Sequence, residues 1–198
     1  MPRTPDPERK PELLANILEY LVDRPLSTLT FRALAKYLGV STYTLVYHFG
    51  TRAELVSEIV AAIAARQRTA EEDIAVPDND LDAYFAGIMA AFEWSLDPAN
   101  NSLQRLEFEA AILEAHAGDL TSSRASFDGW LGSATSDLRA LGLSETDAAV
   151  EARILNNLFT GFQYDLVINR DTETARTAFA LAMDRYRARL RDLIELAV

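Results

Sequence analysis

A chain of 198 residues, 49% hydrophobic and 25% charged, has the apolar mass for a full core and the balance of an ordinary globular protein. It has no cysteine, which excludes disulfides, thiolate metal sites and cysteine nucleophiles and leaves His48 and His116 as its imidazoles. The net charge of −11 is unevenly spread: residues 1–68 hold nine Arg/Lys and seven Asp/Glu, a net of +2, and residues 69–198 hold ten and twenty-three, a net of −13, so the acidic total does not exclude a nucleic-acid partner for the N-terminal part.

The first eleven residues are polar and proline-rich rather than basic and then apolar, so no secretory signal is expected. The longest apolar window, Ala83 to Phe92, is far too short to span a membrane, which points to the cytoplasm. Helical periodicity runs throughout and no strand alternation interrupts it. A first helix is predicted over 7–23, with Leu13, Leu14, Ile17, Leu18 and Leu21 on one face and Arg24-Pro25 as the stop. Thr30 is the N-cap of a second helix, whose stripe is Phe31, Leu34, Ala35 and Leu38 and whose end is Gly39. Ser41 caps a short third helix reaching Phe49, and a fourth follows from Arg52 to Glu72.

The run Val76-Pro77-Asp78-Asn79-Asp80 is the best domain boundary. Beyond it, helices are predicted near 80–96, 101–116, 119–140, 145–169 and 172–196. The predicted class is all-α, with an N-terminal three-helix domain over 1–51, a linking helix over 52–76 and a larger C-terminal helical domain over 77–198.

Leu38-Gly39-Val40-Ser41 has the form of the turn in a helix-turn-helix. Gly39 can take positive φ, Val40 packs under the turn, and Ser41 caps a helix whose first residues, Thr42, Tyr43 and Thr44, are the ones that meet base edges when such a helix enters the major groove. Leu45 and Phe49 read as core, and Tyr37 as a cover for the first helix. His48 fits either a packed helix-end residue or a DNA contact.

The segment from Thr30 through Gly39-Val40-Ser41, then Leu45-Val46-Tyr47-His48-Phe49 and Arg52-Ala53-Glu54-Leu55, resembles the signature of the TetR family of transcriptional regulators. The match spans about residues 10–60, and chain length and helix count agree with the family beyond it. By position, the resemblance implies phosphate contacts from Thr30, Ser41, Tyr47 and Arg52 and base contacts from Arg32, Thr42, Tyr43 and Thr44. One departure is Val46, where the family usually has tyrosine. That removes a phosphate contact there and leaves the adjacent Tyr47 to take part of the role.

The resemblance also implies a homodimer on a palindromic double-stranded operator, released by a small-molecule inducer, with residues 145–196 forming a four-helix bundle with their partners. Two features suit that role. The 145–169 helix is apolar on two faces, with Ile154, Leu158, Phe162 and Leu166 on one and Val150, Leu155 and Phe159 on the other. The last helix carries Phe179, Met183, Tyr186, Leu190 and Leu193 at steps of three and four. An inducer cavity is implied among Phe92, Trp94, Phe108, Glu109, Phe127, Trp130, Phe162 and Tyr164, with Asn156, Asn157 and Gln163 as further polar candidates.

No enzyme is expected, since the chain lacks a nucleophile elbow, a phosphate loop and a His-Glu-x-x-His run, and no cofactor is implied. A metal site from Glu107, Glu109 and His116 is disfavoured because Glu109 and His116 lie two turns apart on one helix. The alternative reading is a non-enzymatic helical adaptor that binds partner proteins through its acidic half.

Overall fold

Local capping chemistry sets the ends of most helices. In the computed structural model, which describes residues 8–72 and 80–196, the chain folds as α1 (Arg9–Leu21), a 3₁₀ turn (Leu26–Thr28), α2 (Phe31–Leu38), α3 (Thr42–Phe49), α4 (Arg52–Glu72), α5 (Leu81–Leu96), α6 (Pro98–Ala117), α7 (Thr121–Ala140), α8 (Glu145–Asn169) and α9 (Thr172–Leu196), with no strand among the described residues. The fold is the expected all-α one. Most of the expected break at residues 76–80 lies outside the described residues. Asp80 is described, and its carboxylate accepts from the Asp82 and Ala83 amides to cap α5.

The predicted bounds fail most clearly at α6, which begins three residues before the expected 101. Asp97-Pro98 is a start signal rather than a spacer: Asp97 accepts from the Ala99 amide and Pro98 stands at the first helical turn, where its missing N–H costs nothing. The 3₁₀ turn between α1 and α2 was not expected at all.

Two apolar cores result. The first gathers Leu13, Ile17, Leu18 and Leu21 of α1, Leu34 of α2, Leu45 and Phe49 of α3, and Leu55, Val56, Ile59, Val60 and Ile63 of α4. It also takes in Leu103, Leu106 and Ala110 of α6. The first core therefore includes α4 and one face of α6 together with the helix-turn-helix.

The second core joins α5, α7, α8 and α9 around an aromatic cluster in which Phe92 stacks on Phe179 at 3.8 Å between ring centres, with Phe159 and Phe162 edge-on to both. This cluster corrects the reading of α9: Phe179, Met183, Tyr186 and Leu190 face inward and are buried within the chain's own core. On α8, Leu155, Phe159 and Leu166 are buried as well, and Ile154, Leu158 and Phe162 are half-buried. The apolar side chains that α8 and α9 leave exposed before the last residues are Val150, Tyr164, Ile168 and Leu181.

Candidate nucleic-acid interface and ligand-binding region

The helix-turn-helix is built by three local devices. The Thr30 hydroxyl accepts from the Ala33 amide at 3.2 Å and starts α2. Gly39 closes α2 at φ +66°, a conformation that strains any residue with a Cβ, and the Val40 amide returns to the Ala35 carbonyl. The Ser41 hydroxyl accepts from the Thr44 amide at 3.0 Å and meets the Thr44 hydroxyl at 2.8 Å, so α3 starts at the first residue of the reading end.

Leu45 and Phe49 hold the inner face of α3 in the first core, which turns its other face outward. Tyr43 is 77% exposed and Tyr47 64%, both unusually open for tyrosine. Thr42, Val46 and Arg32 are also exposed, Thr44 is half-buried, and Thr30 and Ser41 sit exposed at their helix starts with their hydroxyls already capping. His48 is half-buried between its ring neighbours Tyr47 and Phe49, a setting nearer to packing than to an open contact. Tyr37 lies against Tyr20 at 4.8 Å between ring centres and so covers α1 as expected.

Arg52 is exposed, and its Nε donates to the Leu29 carbonyl and its Nη2 to the Leu26 carbonyl, each at 3.0 Å, so the guanidinium also fastens the loop ahead of α2. Behind it Thr51 and Glu54 form a capping box: the Thr51 amide donates to the Glu54 carboxylate and the Glu54 amide to the Thr51 hydroxyl. These bonds hold the Glu54 carboxyl below its ordinary pKa.

The eight residues expected to line one ligand cavity do not converge on one. Phe92, Phe162 and Trp130 belong to the aromatic core, Trp130 lying 5.6 Å from Phe159. Phe108 pairs with Tyr164 between α6 and α8, Phe127 sits under the Arg153 guanidinium, and Trp94 is half-buried near the end of α5. Glu109 is elsewhere altogether: it pairs with Arg105 and accepts from the Leu26 amide, so it faces the DNA-binding domain. Of the further polar candidates, Asn156 and Gln163 are buried while Asn157 is exposed.

Buried polar atoms mark the C-terminal half more clearly than its aromatics do. The Tyr84 hydroxyl, Gln104 Nε2 and Asn156 Nδ2 are each buried without a hydrogen-bond partner. Such groups cost about 1–3 kcal/mol apiece, and Ser123 Oγ, Glu151 Oε2 and Arg187 Nε share the condition. Burial, with the Asp137 charge adding to it, pushes the Tyr84 hydroxyl far above its ordinary pKa and keeps it a neutral donor. Gln104 was missed from the sequence because nothing local separates an orphaned polar group from a solvated one. A groove of about 730 Å³ between the end of α7 and the start of α8, with Arg139, Glu145 and Arg153 on its rim, is lined by none of the eight expected residues. Among the described residues no three His, Asp or Glu side chains gather to hold a metal, and no helix is long and apolar enough to cross a membrane.

An all-α chain with an outward-facing, capped second helix of a helix-turn-helix has the arrangement that DNA-binding regulators use. Residues 13–59 match the family model described as bacterial regulatory proteins, tetR family. The matched segment is the N-terminal domain, and over nearly its full length the chain has the fold of solved TetR-family regulators.

It is similar to a transcriptional regulator from Rhodococcus sp. Rha1 (17% identity, TM-score 0.75, 96% of this chain and 98% of that one). It is similar also to a TetR variant from Acinetobacter baumannii in complex with minocycline (20% identity, TM-score 0.65, 96% and 99%). A third similar structure is BioQ with its natural double-stranded DNA operator (23% identity, TM-score 0.59, 90% and 98%). No curated protein sequence matches the chain.

Proposed function

We propose that this chain is a one-component, non-enzymatic regulator that binds a palindromic duplex as a homodimer and is released from it by a small molecule held in its C-terminal half. The observation that carries the reading is α3: capped by Ser41, anchored by Leu45 and Phe49, and presenting Tyr43 and Tyr47 far into solvent. The charge distribution supports it, since the acidic surplus lies beyond residue 68 and leaves the reading domain with net positive charge.

Thr42, Tyr43, Arg32 and Tyr47 are the proposed DNA-facing side chains. Thr30 and Ser41 act first as helix caps and offer their exposed hydroxyls second, and the half-buried Thr44 hydroxyl stands beside that of Ser41. For the ligand, the orphaned Tyr84, Gln104 and Asn156 groups support a molecule with both apolar surface and polar atoms, in keeping with the kinds of partner found in the minocycline and operator complexes of the similar proteins.

The test is a fluorescence-anisotropy titration against duplexes selected from random sequence, repeated across salt concentrations. A regulator shows a steep loss of affinity with salt, and Tyr43→Ala costs about 1–3 kcal/mol and relaxes the sequence preference. A chain that selects no duplex, or whose binding ignores salt, is not a DNA-binding regulator.

A further inference from the structure

The end of α1 is tied off partly by the chain that follows it and partly by α6. Its last turn holds no basic residue and its C-cap Val22 stays in right-handed helical conformation, while the Arg24 side chain donates to the Tyr20 carbonyl and the Arg24 amide to the Leu21 carbonyl. Further donors come from α6. Arg105 Nη2 lies 2.9 Å from the Leu21 carbonyl, 3.1 Å from that of Val22 and 3.2 Å from that of Arg24, placing a positive charge at the negative end of α1. Arg105 Nη1 pairs with Glu109 one turn further along α6, and the second oxygen of Glu109 accepts from the Leu26 amide at the start of the 3₁₀ turn.

We propose that Arg105 and Glu109 form an interdomain latch through which α6 itself, and not α4 alone, sets the orientation of the helix-turn-helix. Arg105 adds a donor to three backbone carbonyls and Glu109 an acceptor to the Leu26 amide, and both side chains are about three-quarters buried, so the latch is sheltered from solvent screening. Arg52 of α4 grips the Leu26 and Leu29 carbonyls from the opposite side, so residues 21–29 are clamped between two helices.

Besides Leu103, Leu106 and Ala110 in the first core, α6 makes polar and aromatic contacts that run into the C-terminal half. Phe108 packs on Tyr164 of α8, Glu107 accepts from the Ser126 hydroxyl of α7, and Glu114 accepts from the Ser123 amide. Gln104, with its unpartnered buried amide, precedes Arg105 directly. A molecule that engages Gln104 therefore displaces the residue next to the latch. That last step rests on the regulatory reading above; the latch does not.

The absence of cysteine allows a direct measurement. Spin labels at Lys36→Cys on α2 and Ser133→Cys on α7, both exposed positions, report the distance between the helix-turn-helix and the C-terminal half by pulsed electron resonance. The labelled chain is diluted into unlabelled chain so that only distances within one chain are read.

The parent gives one narrow distance distribution. Arg105→Met and Glu109→Ala each broaden or split it while the folded helix content stays unchanged. The swap Arg105→Glu with Glu109→Arg restores an ion pair four residues apart, but it sets a carboxylate against carbonyls and a guanidinium against an N–H, so it stays as broad as the single variants.

A merely stabilising role predicts a lower melting temperature with distances as narrow as the parent's, and that result overturns the proposal; so does a swap that restores the narrow distribution. Should Arg105→Met not fold, Glu109→Gln carries the same readout, since it leaves an acceptor for Leu26 and removes the charge that holds Arg105. An unchanged distribution there is equally decisive against the latch. The distances are read without DNA or ligand, so a chain that binds no duplex sinks the regulatory reading and leaves the latch to stand or fall on the distances.

Discussion

Two glycines flank the recognition helix, and they do different work. Gly39 adopts φ +66° with nothing within 4 Å of where a Cβ would stand, so its cost to a larger residue is one of backbone conformation. Gly39→Ala is expected to lower the unfolding free energy by about 1 kcal/mol in a urea titration, with operator selection unchanged in kind. Gly50 has φ +65°, and a Cβ there would lie 2.3 Å from the Glu54 carboxylate oxygen that accepts from Thr51. Gly50 also has ψ −118°, outside the left-handed helical region that Gly39 occupies and that alanine can enter at modest cost, so Gly50→Ala carries the greater backbone strain, presses on the capping box of α4 as well, and should be the more damaging of the two. Equal losses at both positions would refute this ordering.

The capping box belongs to a pattern at the level of the helices. Hydrogen bonds from Thr51, Thr121 and Thr174 lower the pKa of Glu54, Asp119 and Asp171, at the starts of α4, α7 and α9. A carboxyl with a lower pKa in the folded than in the unfolded chain adds stability that is fully present at neutral pH and is lost as pH falls through its lowered folded value. Asp137, raised by burial, works in the opposite sense and gains as it protonates. With three groups against one, the melting temperature should fall between about pH 5 and pH 3, and Asp119→Asn should flatten part of that fall. Melting curves that are flat through this range, or unaltered by Asp119→Asn, would refute the link between caps and acid lability.

These caps are also why so much was legible in the sequence. α4, α8 and α9 occupy the residues expected of them, because Ser, Thr and Asp starts and Gly or polar stops write helix ends into local pattern. The helix-turn-helix was legible for the same reason. What did not show is the partnering of Arg52, Arg105 and Glu109, whose acceptors and donors are backbone groups 23 to 84 residues away and leave no mark in side-chain spacing. Nor could periodicity say which stripe of α9 turns inward. That was settled by the fit of Phe179 against Phe92, a tertiary contact.

For the molecule as a whole, the open question is what covers the outer faces of α8 and α9. The stripes first assigned to a partner are spent largely on the chain's own core, and what remains outside is sparser: Val150, Tyr164 and Ile168 on α8, and Leu181 on α9. Between them on α8 lies Gly161, exposed, in a helix interior, with nothing within 4 Å of a Cβ placed there. Alanine would be favoured at such a position by roughly 0.5–1 kcal/mol in a lone chain, so the packing within this chain gives no reason for glycine.

Close approach of a second helix does give one, because glycine lets two backbones meet and leaves the flanking apolar side chains to close over the contact. Isologous pairing of this face, α8 and α9 against their copies, is the expected mode of dimerisation, and it would present two α3 helices to a palindrome. Gly161→Arg should then leave helix content and melting of the monomer unharmed, since the added side chain meets only solvent. Sedimentation at micromolar concentration should show dissociation to monomers, and affinity for a full palindrome should drop towards that for a half-site. Gly161→Ala, which adds one methyl group, should weaken association less while raising the stability of the separated chain. A Gly161→Arg variant that remains dimeric would place the dimer interface on another face of the molecule.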